Sequence, residues 1–423
     1  MITRSSLQKI RNTFVSITTI VLLASMVNNL AIAQHQKMAE DPEVKNELVK
    51  GKSCLEQGVL CAKTVTSSFA PNGDLWRLWA MNKQMFFQIS TDNGKTFLPT
   101  VQVNIPKEKI LAHHENRPKI AFDKYNGVYL SWATPLKKKH TANVRFSYSA
   151  NYGNSFSKPI TVNNDDLLTG HSFNEMLVTD NGDISIVWLD ARWSHQLRKQ
   201  GKKTNGSALY IAKANFRENS TVFSNQQLAN NTCVCCRIAM TYNQQGELAI
   251  LWRHIYGDNI REFSLLTLNK EDKTAPVRQI SYDHWKIDGC PHQGGSISID
   301  NSNNYHMVWF NLGDKGKGIF YSNTNDQGKT VKQPLSVGNF KAQAAHPFIM
   351  HNNQAIDIVW TQFDGTEHQL WHQRSTDQGK SFSKAKKISQ ASSGADRPFI
   401  IKKSTVNYVS WHRPKQDHLI QAL

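Results

Sequence analysis

Short segments of period-two hydrophobicity alternate along the chain with turns rich in Asn, Asp and Gly. Seven of these segments close on tryptophan: "GDLWRLW" at Trp79, "NGVYLSW" at Trp132, "GDISIVW" at Trp188, "GELAILW" at Trp252, "NYHMVW" at Trp309, "AIDIVW" at Trp360 and "VNYVSW" at Trp411. Such alternation, rich in Val, Ile, Trp and Tyr, predicts short strands and disfavours helical repeats. The interval, about 50 to 60 residues, suits one four-stranded propeller blade. The expected fold is therefore all-β, a β-propeller of four-stranded antiparallel blades. The last unit, 396–423, has room for three strands, "PFIIKK", "VNYVSWHR" and "HLIQAL". "NELVKGK" (46–52) would supply a fourth and close the ring, which favours seven blades over six.

A second motif recurs at matching places: "STDNGKTF" with Asp92, "SANYGNSF" with Asn151, "TNDQGKTV" with Asp326 and "STDQGKSF" with Asp377. The Asp or Asn side chain can bond nearby backbone N–H groups, and the Gly supplies a positive φ. These four copies resemble the Asp box, or bacterial neuraminidase repeat, of sialidase-like β-propellers. The resemblance implies a structural role for them between the outer strands of a blade. Sialidases have six blades, so six is the alternative count.

The N-terminus changes the picture of where the protein works. Arg4, Lys9 and Arg11 precede the apolar run "FVSITTIVLLASMV", and "AIAQ" follows. This reads as a secretory leader, 1–33, cleaved after Ala33. The run is too short to span a membrane. A flexible segment, 34–50, then leads into one propeller domain, 51–423. The protein is expected to be periplasmic or secreted and monomeric. Net charge is +17, with the basic residues spread along the chain. That pattern gives a solvated surface rather than a nucleic-acid arm. A basic exported protein can meet acidic glycans.

Propeller ligand sites usually lie where the innermost strands open, so the residues just before each such strand are the candidates. They are His113, His114, Glu115 and Arg117; His171 and Glu175; Cys233, Cys235, Cys236 and Arg237; Cys290 and His292; His346; Asp396 and Arg397. Repeat registration thus predicts a ring of Cys, His, Arg and acids at one mouth. The histidines 113, 114, 171, 292 and 346 are the candidate axial ligand site.

The chain has six cysteines, three of them within "CVCC". In an oxidising compartment disulfides are the default, with Cys54–Cys61 as a local staple and Cys290 paired to one member of the cluster. Cys235 and Cys236, being adjacent, pair only with strain. The alternatives are a metal site of Cys235, Cys236, Cys290 and His292, or a reactive thiol. Thiolate with imidazole suits copper or zinc, and a Cys-rich set leans to copper(I).

A sialidase would need three arginines on a substrate carboxylate, a Tyr–Glu nucleophile pair and an acid. Arg117, Arg237 and Arg397, with Glu115, Glu175 and Asp396, are the candidates; Arg192, Arg253 and Arg413 follow Trp-ended strands. The family's F/Y-R-I-P signature is replaced by "CAKTVTSSF". The blocks "HHENRPKIAF", "CVCCRIA" and "DGCPH" resemble a bacterial exported group labelled sialidase-like by its repeats. Three functions remain open: a protein that binds a small ligand or metal ion, a glycoside hydrolase of exo-sialidase type, and a scaffold for protein partners.

Overall fold

The computed structural model describes residues 58–204, 206–217, 220–392 and 394–423. The leader, the 34–50 segment, the 46–52 strand and Cys54 lie outside them. About half of the described residues lie in strands, and helix is rare. β1 (Thr66–Phe69), β2 (Leu75–Met81), β3 (Gln84–Ser90) and β4 (Val101–Gln102) form one antiparallel sheet. β5 (Lys119–Phe122), β6 (Val128–Pro135), β7 (Ala142–Ser149) and β8 (Ile160–Thr161) form the next. The third unit is β9 (His171–Val178), β10 (Asp183–Asp190), β11 (Ser207–Asn215) and β12 (Ser220–Thr232), with helix α1 (Arg192–Lys199) inserted. The fourth is β13 (Ala239–Tyr242), β14 (Leu248–Tyr256), β15 (Ile260–Leu268) and β16 (Arg278–Gln279). A single pair, Thr232 with His254, merges these two units into one eight-stranded sheet.

β17 (Ser296–Ile299), β18 (Tyr305–Leu312), β19 (Lys317–Thr324) and β20 (Leu335–Val337) follow, then β21 (Ala345–Asn352), β22 (Ala355–Phe363), β23 (His368–Ser375) and β24 (Lys386–Ala391). The last unit has three described strands, β25 (Phe399–Lys403), β26 (Val406–Arg413) and β27 (Asp417–Ala422). The all-β expectation and the four-stranded antiparallel units both hold.

All seven repeat tryptophans fall in second strands and are at most 1% exposed. These strands are apolar on both faces because each sheet is covered on both sides by its neighbours. One core cluster, for example, joins Trp76 and Phe87 of the first unit to Ile120 and Trp132 of the second. The first strands pack side by side in chain order, and β25 packs on β1. The last and first units are also bonded: His412 Nε2 to the Ala62 carbonyl at 2.8 Å and Lys415 N–H to the Leu60 carbonyl at 2.8 Å.

The four recurrent turns join third to fourth strands. Asp92 accepts from Thr96 N–H at 2.9 Å, and Gly94 N–H donates to Ser90 Oγ at 2.7 Å. The other three repeat this pattern around Asn151, Asp326 and Asp377. Their glycines have φ between +77° and +88° and press on the preceding unit. A Cβ on Gly153 would lie 2.8 Å from Trp76, and one on Gly94 would lie 2.9 Å from Ile420, across the junction of the chain's two ends.

Candidate functional site

The mouth where the first strands open holds most of the expected residues. The approach to β5 turns tightly: His113 N–H donates to the Asn116 carbonyl at 3.0 Å and Asn116 N–H returns at 2.6 Å. This turn sends Glu115 into the interior, where it is 3% exposed. Arg237 N–H donates to Glu115 Oε2 at 2.7 Å, and the Arg397 guanidinium pairs with the same carboxylate. Burial opposes ionisation of Glu115, yet Arg397 and Arg237 hold it down to about 2. Gly294 permits the approach, since a Cβ there would lie 2.6 Å from Glu115 Oε2.

Arg117 grips Asp396 at two points, 2.8 and 2.7 Å, and His114 Nδ1 lies 3.2 Å from the same acid. Arg237 also donates to the Gly295 and Pro347 carbonyls. The guanidinium groups of Arg117 and Arg397 are therefore bound to acids from another unit, and that of Arg237 is held by backbone carbonyls of other units. Glu175 pairs with Lys119 at 2.7 Å. Arg253 donates to the Gln293 and Phe310 carbonyls, Arg192 binds Asp190 and Arg413 binds Asp417. Tyr256 bonds Ser264 and Tyr282 bonds the Gln279 carbonyl, so neither is paired with Glu115 or Glu175. The arrangement staples the units together and, among the described residues, leaves no free fork of Arg117, Arg237 and Arg397.

Beside this network lies a cavity of about 920 Å³, bordered by His113, His114, His346, Lys63, Lys415 and Phe363. His346 Nδ1 is buried without a hydrogen-bond partner, and burial next to Arg397 keeps the ring well below its ordinary pKa. Two β-bulges shape this mouth. In β9 the register shifts opposite Trp188, and in β21 it shifts opposite Trp360. The extra residues include Phe173 at φ +57° and His346 at φ +55°, and His292 sits at φ +49°. Such left-handed conformations are costly for bulky residues and cluster at functional sites.

One expected axial histidine is placed elsewhere. His171 is fully buried, with Nδ1 2.8 Å from the Ala142 carbonyl and Nε2 3.0 Å from Asp165 and 3.7 Å from Asp190. The bulge turns Phe173 to the mouth in its place. Its ring lies 6.0 Å from that of His113 and 6.3 Å from that of His292. No sequence signal marks Phe173, because a bulge is not written in the alternation.

The cysteines gather at the same mouth, in the crossover from β12 to β13. Cys233, Cys235 and Cys236 are at most 3% exposed, and Cys290 is exposed on the loop before β17. None of these four is disulfide-bonded, contrary to the expected Cys290 link. Cys233 Sγ lies 3.5 Å from Cys236 Sγ and 3.9 Å from Cys235 Sγ. Hydrogen bonding to Cys235 and Cys236 pushes the Cys233 thiol down, while burial pushes Cys236 up. The donor atoms of Cys235, Cys290 and His292 all lie within 4.8 Å of one another. Three of the four expected ligands thus converge, and Cys236 groups with Cys233 and Cys235. Cys61 borders the cavity; its expected partner Cys54 is outside the described residues.

No family model matches the chain, and no curated protein matches it in sequence. In fold it is similar to the BP39L lectin from Burkholderia pseudomallei, at 9% identity over 85% of this chain and 99% of that one, TM-score 0.53. It is similar to the polysaccharide lyase Uly1 at 9% identity over 93% and 95%, TM-score 0.51. The Hadza microbial sialidase Hz136 matches at 9% identity over 80% and 73%, TM-score 0.49. The likenesses to the lectin and to Uly1 concern architecture, a propeller-like assembly of antiparallel sheets. Among the described residues no helix is long and apolar enough to cross a membrane.

Proposed function

We propose that this is an exported seven-bladed propeller that binds one soft metal ion, copper(I) before zinc, through Cys235, Cys290 and His292. The seven-blade count rests on the unbroken series of first strands from β1 to β25 and back. The four recurrent turns are read as Asp boxes that lock four of the blades to the preceding blade. Export rests on the leader-like N-terminus.

The carrying observation is the convergence of two sulfurs and an imidazole within 4.8 Å. Donors bound at about 2.0–2.3 Å to a trigonal ion stand roughly 3.5–4 Å apart. Closing the set therefore needs shifts of about 1 Å, and Cys290 sits on a loop that can supply them. Thiolate and imidazole donors favour copper(I). Reduced protein, titrated anaerobically with copper(I) against a competing chelator, should retain one equivalent. Retention below a tenth of an equivalent overturns the reading, and preferential retention of zinc reassigns the ion.

A second reading is favoured by the cavity itself. Lys63, Lys415, His113 and His114 line it with Phe310, Phe340 and Phe363, a basic and aromatic surface suited to an acidic glycan. The arginines, being internally paired, count against the exo-sialidase mechanism. A fluorogenic sialoside and a panel of acidic oligosaccharides, assayed for turnover and for binding, separate catalysis, lectin-like binding and neither.

A further inference from the structure

Cys233 and Cys236 have a C-x-x-C spacing inside "CVCC", and their sulfurs are 3.5 Å apart. This is the spacing of dithiol–disulfide motifs. The three buried sulfurs of Cys233, Cys235 and Cys236 lie within 4.8 Å of one another, and Cys235 links this cluster towards solvent. Cys233 Sγ is 3.9 Å from Cys235 Sγ, and Cys235 Sγ is within 4.8 Å of Cys290 Sγ. Of the four, only Cys290 is exposed; the other three are buried in the core between the third and fourth units. Exchange requires contact between an attacking sulfur and an accessible disulfide, so it can start only at Cys290.

We propose that these four cysteines form a thiol–disulfide relay, with Cys290 exchanging with a disulfide in solution and Cys233–Cys236 storing the bond. The Cys290 thiolate attacks one sulfur of an external disulfide RSSR. The S–S bond breaks, and one RS⁻ leaves and takes up a proton. The Cys235 thiolate attacks Cys290 Sγ and expels the second RS⁻, which is protonated in turn. The Cys233 thiolate attacks Cys235 Sγ, and Cys290 departs as thiolate. The Cys236 thiolate attacks Cys233 Sγ, and Cys235 departs as thiolate. Two protein thiols are oxidised, one external disulfide is reduced to two thiols, and their two protons come from the protein thiols.

The end state leaves Cys235 and Cys290 reduced. The relay shares these sulfurs with the copper reading and does not rest on it, because the chemistry needs no ion. The test therefore uses reduced, chelator-treated protein with oxidised glutathione, alkylated at intervals and mapped by peptide mass spectrometry. The expected product carries a Cys233–Cys236 bond with Cys235 and Cys290 alkylated. Cys290→Ser, a surface change checked by circular dichroism, should slow its formation about tenfold or more. Cys236→Ser should stop the transfer at Cys233–Cys235 or Cys235–Cys290. Absence of the Cys233–Cys236 bond, or its formation at the parent rate in Cys290→Ser, overturns the relay. Copper retention is measured separately on the reduced protein, so either reading can fail alone.

Discussion

Arg117 and Asp396, 279 residues apart in the chain, are joined at two points, 2.8 and 2.7 Å, where the last unit meets the second across the mouth. Both are nearly inaccessible to solvent. Removing one partner of a buried pair costs about 3–5 kcal/mol, since the other charge stays buried and unpaired. Asp396→Asn should therefore lower stability by about 3 kcal/mol, read as a shift in the urea midpoint at constant slope. A change under about 0.5 kcal/mol would show the pair is not holding the junction.

Glu115 extends the same logic to pH. Its folded value, about 2, lies below the ordinary 4.5, so its stabilising contribution is complete above the ordinary range and is lost as pH falls towards 2. His346, buried and held neutral, adds a loss that begins as pH drops below 6.5. Urea midpoints should fall steadily with acidification from neutrality. Glu115→Gln should be less stable at pH 7 and lose less between pH 5 and 2 than the parent.

Gly379 gives a test of the turn-to-neighbour contact. Its φ is +77°, and a Cβ would overlap the Tyr321 hydroxyl of the preceding unit. Gly379→Ala should destabilise by about 2 kcal/mol or more, through backbone strain and forced separation of the two sheets. Gly365, at φ +99° with nothing within 4 Å, carries strain without a clash, and Gly365→Ala should cost less.

Two histidines that look alike in sequence should part in experiment. His292→Ala should weaken copper(I) retention while leaving the thermal midpoint near the parent's. His171→Ala should do the reverse, costing about 2 kcal/mol of stability by removing the ring that bridges Asp165 and the Ala142 carbonyl. Equal loss of copper in both would place His171 in the site after all.

Much of the scaffold was legible because it is local. Trp79 through Trp411 mark the second strands by alternation alone, and the Ser90–Phe97 pattern encodes its own turn. Repeat registration also brought Glu115, Arg237, Arg397 and Cys290 to one mouth. Pairings were not legible, because which acid meets which arginine depends on contacts across the ring. Nor was the exchange of His171 for Phe173. One extra residue in β9 reverses which side chain faces inward, and alternation carries no mark of it. The Cys233–Cys236 spacing was visible but masked by Cys235 between them.

The joint between the third and fourth units falls one residue from the first cysteine. Thr232 pairs with His254, and the Cys233 N–H donates to the Arg253 carbonyl at 2.9 Å. Any rotation of the Cys233 side chain on forming a bond thus pulls on the one strand pairing that joins the two units among the described residues. The amide proton of Cys233 becomes a strain gauge for the sulfur chemistry, and the oxidation state can be followed by isotope exchange without touching a thiol.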